Sequence, residues 1–158
     1  MVKKKLDLII SGGDVFLPNS SIEKIDIGIR KSKIVELGDL TKQDCEKRIV
    51  VKNLIVLPGA IDTQVHFREP GLIHKEDINN GTKGAILGGI TTIFEMPNTN
   101  PSTTTKAALN QKLSIAKKNA FCNYSFFVGA AKNNIENLKD LELLPGCCGV
   151  KIFMGSST

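Results

Sequence analysis

The chain has 158 residues, 41% of them hydrophobic and 23% charged, with a net charge of +5 at pH 7. This is the composition of a globular protein of one or two domains, and no apolar run reaches the roughly 18–20 residues of a membrane helix. The lysines are interleaved with acids and aromatics make up only 5%, so the positive charge reads as solvated surface and not as a nucleic-acid track.

The N-terminus, Met1-Val2-Lys3-Lys4-Lys5-Leu6, has a charged start, but Asp7 breaks the apolar run that follows. It lacks the apolar core of a signal peptide, and the expected location is cytoplasmic. Cys45, Cys122, Cys147 and Cys148 form no C-x-x-C, and adjacent cysteines do not close a relaxed disulfide. They read as small buried thiols in a reducing compartment.

Residues 1–57 read as an all-β module. Leu6–Ile10 leads to the turn cluster Ser11-Gly12-Gly13-Asp14, and Val15–Leu17 follows. Ile25–Arg30 alternates with period two, and Ser32–Leu37 completes a hairpin with it. The apolar run Leu54–Leu57, stopped by Pro58-Gly59, reads as a buried strand.

Residues 58–158 change pattern. Strands are expected at Ile61–Phe67, Thr91–Met96, Tyr124–Val128 and Val150–Met154. Between them, helices are expected over Lys75–Leu87, Thr103–Asn119 and Asn133–Leu144, with Ile135, Leu138 and Leu141 of the last facing inward. Strand and helix alternating at about 30-residue spacing make βαβ units and a parallel sheet. Periodicity alone leaves half of an eight-stranded barrel and an open doubly wound sheet both standing.

Polar residues collect at the strand tips. Gln64, His66 and Arg68 close the first strand, Asn98 follows the second in Met96-Pro97-Asn98-Thr99, and Lys151 lies in the fourth. In parallel α/β folds these ends build the active site. Gln64 and His66, two apart on a strand, point to one side, and an imidazole there is half of a metal-binding pair. The bland alternative for His66 is a satisfied core histidine, and for Gln64 a hydrogen-bonding amide without a metal. A free ammonium between the apolar neighbours of Lys151 has to be paired, neutralised or modified. Desolvation lowers a lysine's pKa, and the neutral amine can add carbon dioxide to become a carbamate. An arginine fork at Arg68 suits a carboxylate; the alternatives are an ion pair with Glu69 and, for Asn98, a turn role. His74, in a loop, reads as solvated.

The stretch PGAIDTQVHFREPG resembles the first barrel strand of cyclic amidohydrolases, most of all the dihydroorotases, and the resemblance extends through GVKIFMGSST at the end of the chain. It decides for the first half of a (β/α)8 barrel preceded by the small all-β module, with further strands of that module expected from a distant C-terminal segment. The family pattern is His-x-His followed by Arg, and this chain has Gln64 in place of the first His. The resemblance implies one or two zinc ions held by His66, by Lys151 as a carboxylated bridging ligand, and by a weakened position at Gln64. It implies that Arg68 and Asn98 grip the carboxylate of dihydroorotate, interconverted with N-carbamoyl-L-aspartate in pyrimidine synthesis. The remaining histidine ligands and the general-base aspartate are expected beyond Thr158, so no catalytic residue is assigned within the chain, which alone is expected to be inactive. A homo-oligomer is one expected assembly. The rival expectation is a non-catalytic scaffold for aspartate transcarbamoylase, for which the loss of a metal ligand at Gln64 speaks. A third is a hydantoinase- or allantoinase-type hydrolase.

Overall fold

The computed structural model describes residues 5–155. The chain divides into two compact units between Pro58 and Gly59.

The first unit holds two small sheets. One orders strands β5-β4-β1-β6, where β1 is Leu6–Ser11, β4 Asp26–Arg30, β5 Lys33–Gly38 and β6 Cys45–Val50. Leu6 and Ile9 of β1 and Leu40 form its core. The buried Asp26 carboxylate accepts the backbone N–H groups of Gly12 (3.2 Å) and Leu40 (3.1 Å), tying two turns to that core. The other sheet orders β3-β2-β7, from Ile22–Glu23, Asp14–Phe16 and Ile55–Val56. Strand β6 escapes sequence reading because its charged residues lie on an edge strand with little burial. The expected buried strand at Leu54–Leu57 is corrected: only two residues pair, and Leu54, Ile55 and Leu57 are about three-fifths exposed because no layer among the described residues covers them.

The second unit is a four-stranded parallel sheet of order β11-β10-β9-β8, with β8 Ala60–Val65, β9 Ile90–Glu95, β10 Asn123–Gly129 and β11 Cys147–Lys151. Helix α1 (Ile78–Leu87) starts on Asp77, whose side chain accepts the Asn80 N–H, and ends at Gly88-Gly89, where Gly89 takes a φ of 83°. Helix α2 (Lys106–Asn119) is capped by Thr105, whose hydroxyl accepts the Ala108 N–H. Leu109 and Ala116 of α2, Ile78 of α1, Ile93 of β9 and Phe126 and Val128 of β10 make the core between helices and sheet. Burying Phe126 completely contributes about 1.5–3 kcal/mol, the usual value for a large apolar side chain.

Two expected elements shift. The helix expected over Asn133–Leu144 is a 3-10 turn, Ile135–Asn137, and a five-residue helix α3, Leu138–Glu142; Ile135 points outward at 61% exposure, because the 3-10 turn does not keep the 3.6-residue stripe. The fourth strand lies three residues earlier than Val150–Met154. Its partner β10 ends at Gly129, in register with Lys151, so Ile152, Phe153 and Met154 have no ladder to join.

Candidate functional site

His66 follows directly on β8. Val65 and Phe67 on either side of it pack into the helix-side core, which turns the imidazole to the opposite face of the sheet. There its Nδ1 meets Asn98 Oδ1 at 2.8 Å. An amide carbonyl oxygen only accepts, so Nδ1 carries the proton, and in the neutral ring Nε2 then holds the lone pair. Asn98 thus fixes the tautomer that can ligate a cation through Nε2.

Arg68 donates from its guanidinium to the backbone oxygen of Asn98 at 3.3 Å. Its backbone is in the left-handed region, with φ 64°, a conformation uncommon for a non-glycine residue. Glu69 does not take the guanidinium as partner; its carboxylate accepts the Ile78 N–H at 2.9 Å, at the start of α1. The loops after β8 and β9 are joined by Asn100 N–H donating to Pro70 O at 3.0 Å. Gly71, with φ 86°, lies so close to Asn100 that a Cβ would overlap the Asn100 carbonyl. His66, Arg68 and Asn98 therefore form one constellation across two neighbouring strand ends.

Gln64 lies in an irregular part of β8. The register of β8 on β9 slips between Asp62 and Val65, and the Gln64 N–H turns back onto the Asp62 carboxylate at 3.0 Å. Gln64 is an exposed residue in a β-bulge and His66 lies beyond the strand, so simple strand alternation does not by itself relate the two side chains.

Lys151 ends β11. Phe126 and Val128 face the helices, so Phe127 and Gly129 face the other way, and Lys151, in register with Gly129, shares that face with His66. β8 and β11 are the two edges of the sheet, roughly 14 Å apart along it at about 4.8 Å per strand. Lys151 is only half-buried and its ammonium lies 5.2 Å from the Phe153 ring centroid. The expectation of a buried lysine in want of a partner does not describe it in this chain.

Among the described residues the fully buried lysine is Lys112 of α2, which sequence reasoning missed. Its Nζ lies 2.7 Å from Glu95 Oε2 at the tip of β9, donates to Met96 O at 3.2 Å, and sits 4.9 Å from the Phe126 ring centroid. Both charged residues have no exposure. Burial pushes the Glu95 carboxyl above its ordinary range, against the ammonium beside it, and pushes the Lys112 ammonium below its own. The available signal was spacing: Lys112 falls three residues after Leu109 and four before Ala116, on the buried stripe.

Residues 55–147 match the model of the amidohydrolase family. The chain belongs to the amidohydrolase family. Within it, the chain is 38% identical over 141 residues to a dihydroorotase of Methanosarcina mazei, covering 89% of this chain and 31% of that protein. It is 34% identical over 152 residues to an allantoinase of Rubrobacter xylanophilus, covering 96% of this chain and 33% of the relative. Among solved structures, the L-hydantoinase of Arthrobacter aurescens matches with a TM-score of 0.90 at 26% identity, over 97% of this chain and 34% of that one. The chain thus spans about a third of the length of the amidohydrolases it matches. The fold is that of an amidohydrolase start: an all-β module, then four parallel strands with three intervening helices of a barrel. No helix among the described residues is long and apolar enough to cross a membrane.

Amidohydrolases are generally metal-dependent, and the donor set of this chain fits such a centre in part. His66 offers an oriented Nε2, and Lys151 lies on the same face. Among the described residues, no group of three or more His, Cys, Asp and Glu side chains could hold a metal. Gln64 is a neutral, weaker donor in the place where the resemblance leads one to look for imidazole.

Proposed function

We propose that this chain is the N-terminal part of a dihydroorotase-type cyclic amidohydrolase that interconverts dihydroorotate and N-carbamoyl-L-aspartate. The observation that carries the reading is the His66–Asn98–Arg68 constellation. One amide, Asn98, orients the imidazole through its side chain and receives the guanidinium on its backbone oxygen. Dihydroorotate needs both functions close together, because its carboxylate is attached to the ring whose amide is opened.

In this reading His66, and Lys151 as a carbamate, would hold zinc, with Gln64 a weak third donor. When bound, the ion would supply Lewis acidity and an activated water. The work of this chain is orientation. Asn98 holds the proton on His66 Nδ1, and the Arg68 fork takes the substrate carboxylate through paired N–H groups. Fixing that carboxylate sets which ring carbonyl is presented for attack. Further ligands and the general base belong to the rest of a longer protein.

The test is turnover of dihydroorotate by the full-length protein and its Arg68→Ala variant, with zinc content and melting temperature measured alongside. Turnover lost at unchanged fold and metal supports the reading. Turnover of allantoin or a hydantoin that survives Arg68→Ala transfers the protein to its allantoinase or hydantoinase relatives. The exposed, bulged Gln64 favours a second reading, a scaffold without catalysis that supports a partner such as aspartate transcarbamoylase. Bound zinc with measurable turnover in the wild type excludes it.

A further inference from the structure

We infer that Glu95 and Lys112 are positioning residues: together they hold the Arg68 and Asn98 segments in the geometry that grips a substrate carboxylate. The inference rests on the carboxylate-gripping role proposed above for Arg68 and Asn98.

Stability of the core does not account for the pair. A buried ion pair loses the hydration of both charges, and an apolar pair of similar volume commonly serves a core as well or better. Glu95 is also poorly satisfied, since neither of its oxygens receives a hydrogen bond of full geometry even with the ammonium beside it. Such an arrangement calls for a reason in what it touches.

It touches both halves of the constellation. Lys112 Nζ donates to Met96 O, two residues before Asn98, and the Met96 N–H donates to Val65 O, the residue before His66. On the other side, the Arg68 backbone N–H directs its partial positive charge at the Glu95 carboxylate. The anion thus faces the one non-glycine residue of the motif with a left-handed backbone, and that backbone turns the Arg68 side chain towards Asn98. Ammonium and carboxylate each fix one strand tip, and the ion pair fixes the two against each other. Phe126 and the full burial of both side chains leave the pair little room to swing.

The experiment uses the full-length protein and measures dihydroorotate binding by calorimetry, with dihydrouracil, the same ring without the carboxylate, as the comparison ligand. Three variants are compared with the wild type: Arg68→Ala, the double variant Glu95→Leu with Lys112→Met, and Glu95→Asp. The double variant is expected to melt at or above the wild-type temperature, to bind dihydroorotate at least tenfold more weakly, and to change dihydrouracil binding less than twofold. A merely structural pair would weaken both ligands alike, and that result, or wild-type dihydroorotate affinity in the folded double variant, overturns the inference. Glu95→Asp keeps the charge and withdraws it by one methylene, so it remains informative where the double variant does not fold. It is expected to weaken dihydroorotate at least threefold, and unchanged affinity overturns the inference as well. If Arg68→Ala binds dihydroorotate as the wild type does, the carboxylate-gripping role itself fails. If Arg68→Ala weakens binding and the Glu95 and Lys112 variants do not, only the positioning role fails.

Discussion

Asn98 Oδ1 accepts from His66 Nδ1 at 2.8 Å, across two neighbouring strand ends 32 residues apart in sequence. Such outer partners of ligating histidines typically change metal affinity by 10–100-fold when removed. Asn98→Ala should therefore weaken zinc binding by about 10–100-fold, read by competition with a chromophoric chelator in the full-length protein. Asn98→Asp, whose carboxylate accepts the same proton more strongly, should retain zinc affinity. Equal affinity in wild type and Asn98→Ala would show that His66 does not ligate through Nε2.

Gly71 is where the two site loops meet most closely. A Cβ there would overlap Asn100 O, and its φ of 86° is unfavourable for any L side chain. Gly71→Ala should destabilise by about 1–3 kcal/mol, the range for a residue forced into a sparsely populated conformation. Gly84, inside α1, faces open space where a Cβ would stand. Gly84→Ala should instead stabilise by about 0.5–1 kcal/mol through helix propensity. Urea unfolding of the two variants side by side checks both signs.

What the sequence made legible was periodicity and punctuation. Gly88-Gly89 after α1 and Pro97 after β9 stop their elements where expected, and the strand tips do gather His66, Arg68 and Asn98. The bulge at Asp62–Val65 was not legible, since an extra residue in one strand is defined only by the register of its partner. Lys112 was hidden for a different reason. A lysine on an apolar stripe ordinarily snorkels to solvent, and only the position of Glu95 on another element keeps this one inside. The end of β11 was set by where β10 stops, a property of the pair and not of Val150–Met154 alone.

The Glu95–Lys112 pair should also write a signature into stability against pH. The group facing Glu95 with opposite charge is Lys112, with the Arg68 N–H and Glu69 further contributors; facing Lys112 are Glu95 and Cys148, the latter pushed by burial up to about 11. Burial raises the Glu95 pKa above 4.5, so its contribution is fully present below pH 4.5 and is lost as pH rises through the native value. Burial lowers the Lys112 pKa below 10.5, so its contribution is lost as pH falls through the native value and is fully present above 10.5. Both costs apply together in the window between. The advantage of Glu95→Leu with Lys112→Met over wild type should therefore be largest near neutral pH and shrink towards pH 4 and pH 11. Urea unfolding of both proteins across that range measures it, and an advantage that does not vary with pH would contradict the raised carboxyl and the lowered ammonium alike.

Gln64→His rebuilds the His-x-His pattern and asks whether position 64 still addresses the metal. An imidazole is a much better zinc donor than a neutral amide. If the bulge leaves position 64 within reach of the ion, the variant should bind zinc at least ~10-fold more tightly, as expected of an added first-rate ligand. The metal content found by elemental analysis should rise or stay the same, and dihydroorotate turnover should not fall. The Asp62 carboxylate holds the residue 64 backbone and not its side chain, so the substitution leaves the bulge intact. Unchanged zinc affinity and stoichiometry would mean that the slipped register aims residue 64 away from His66. The chain would then have lost the position through its backbone as well as through its side chain.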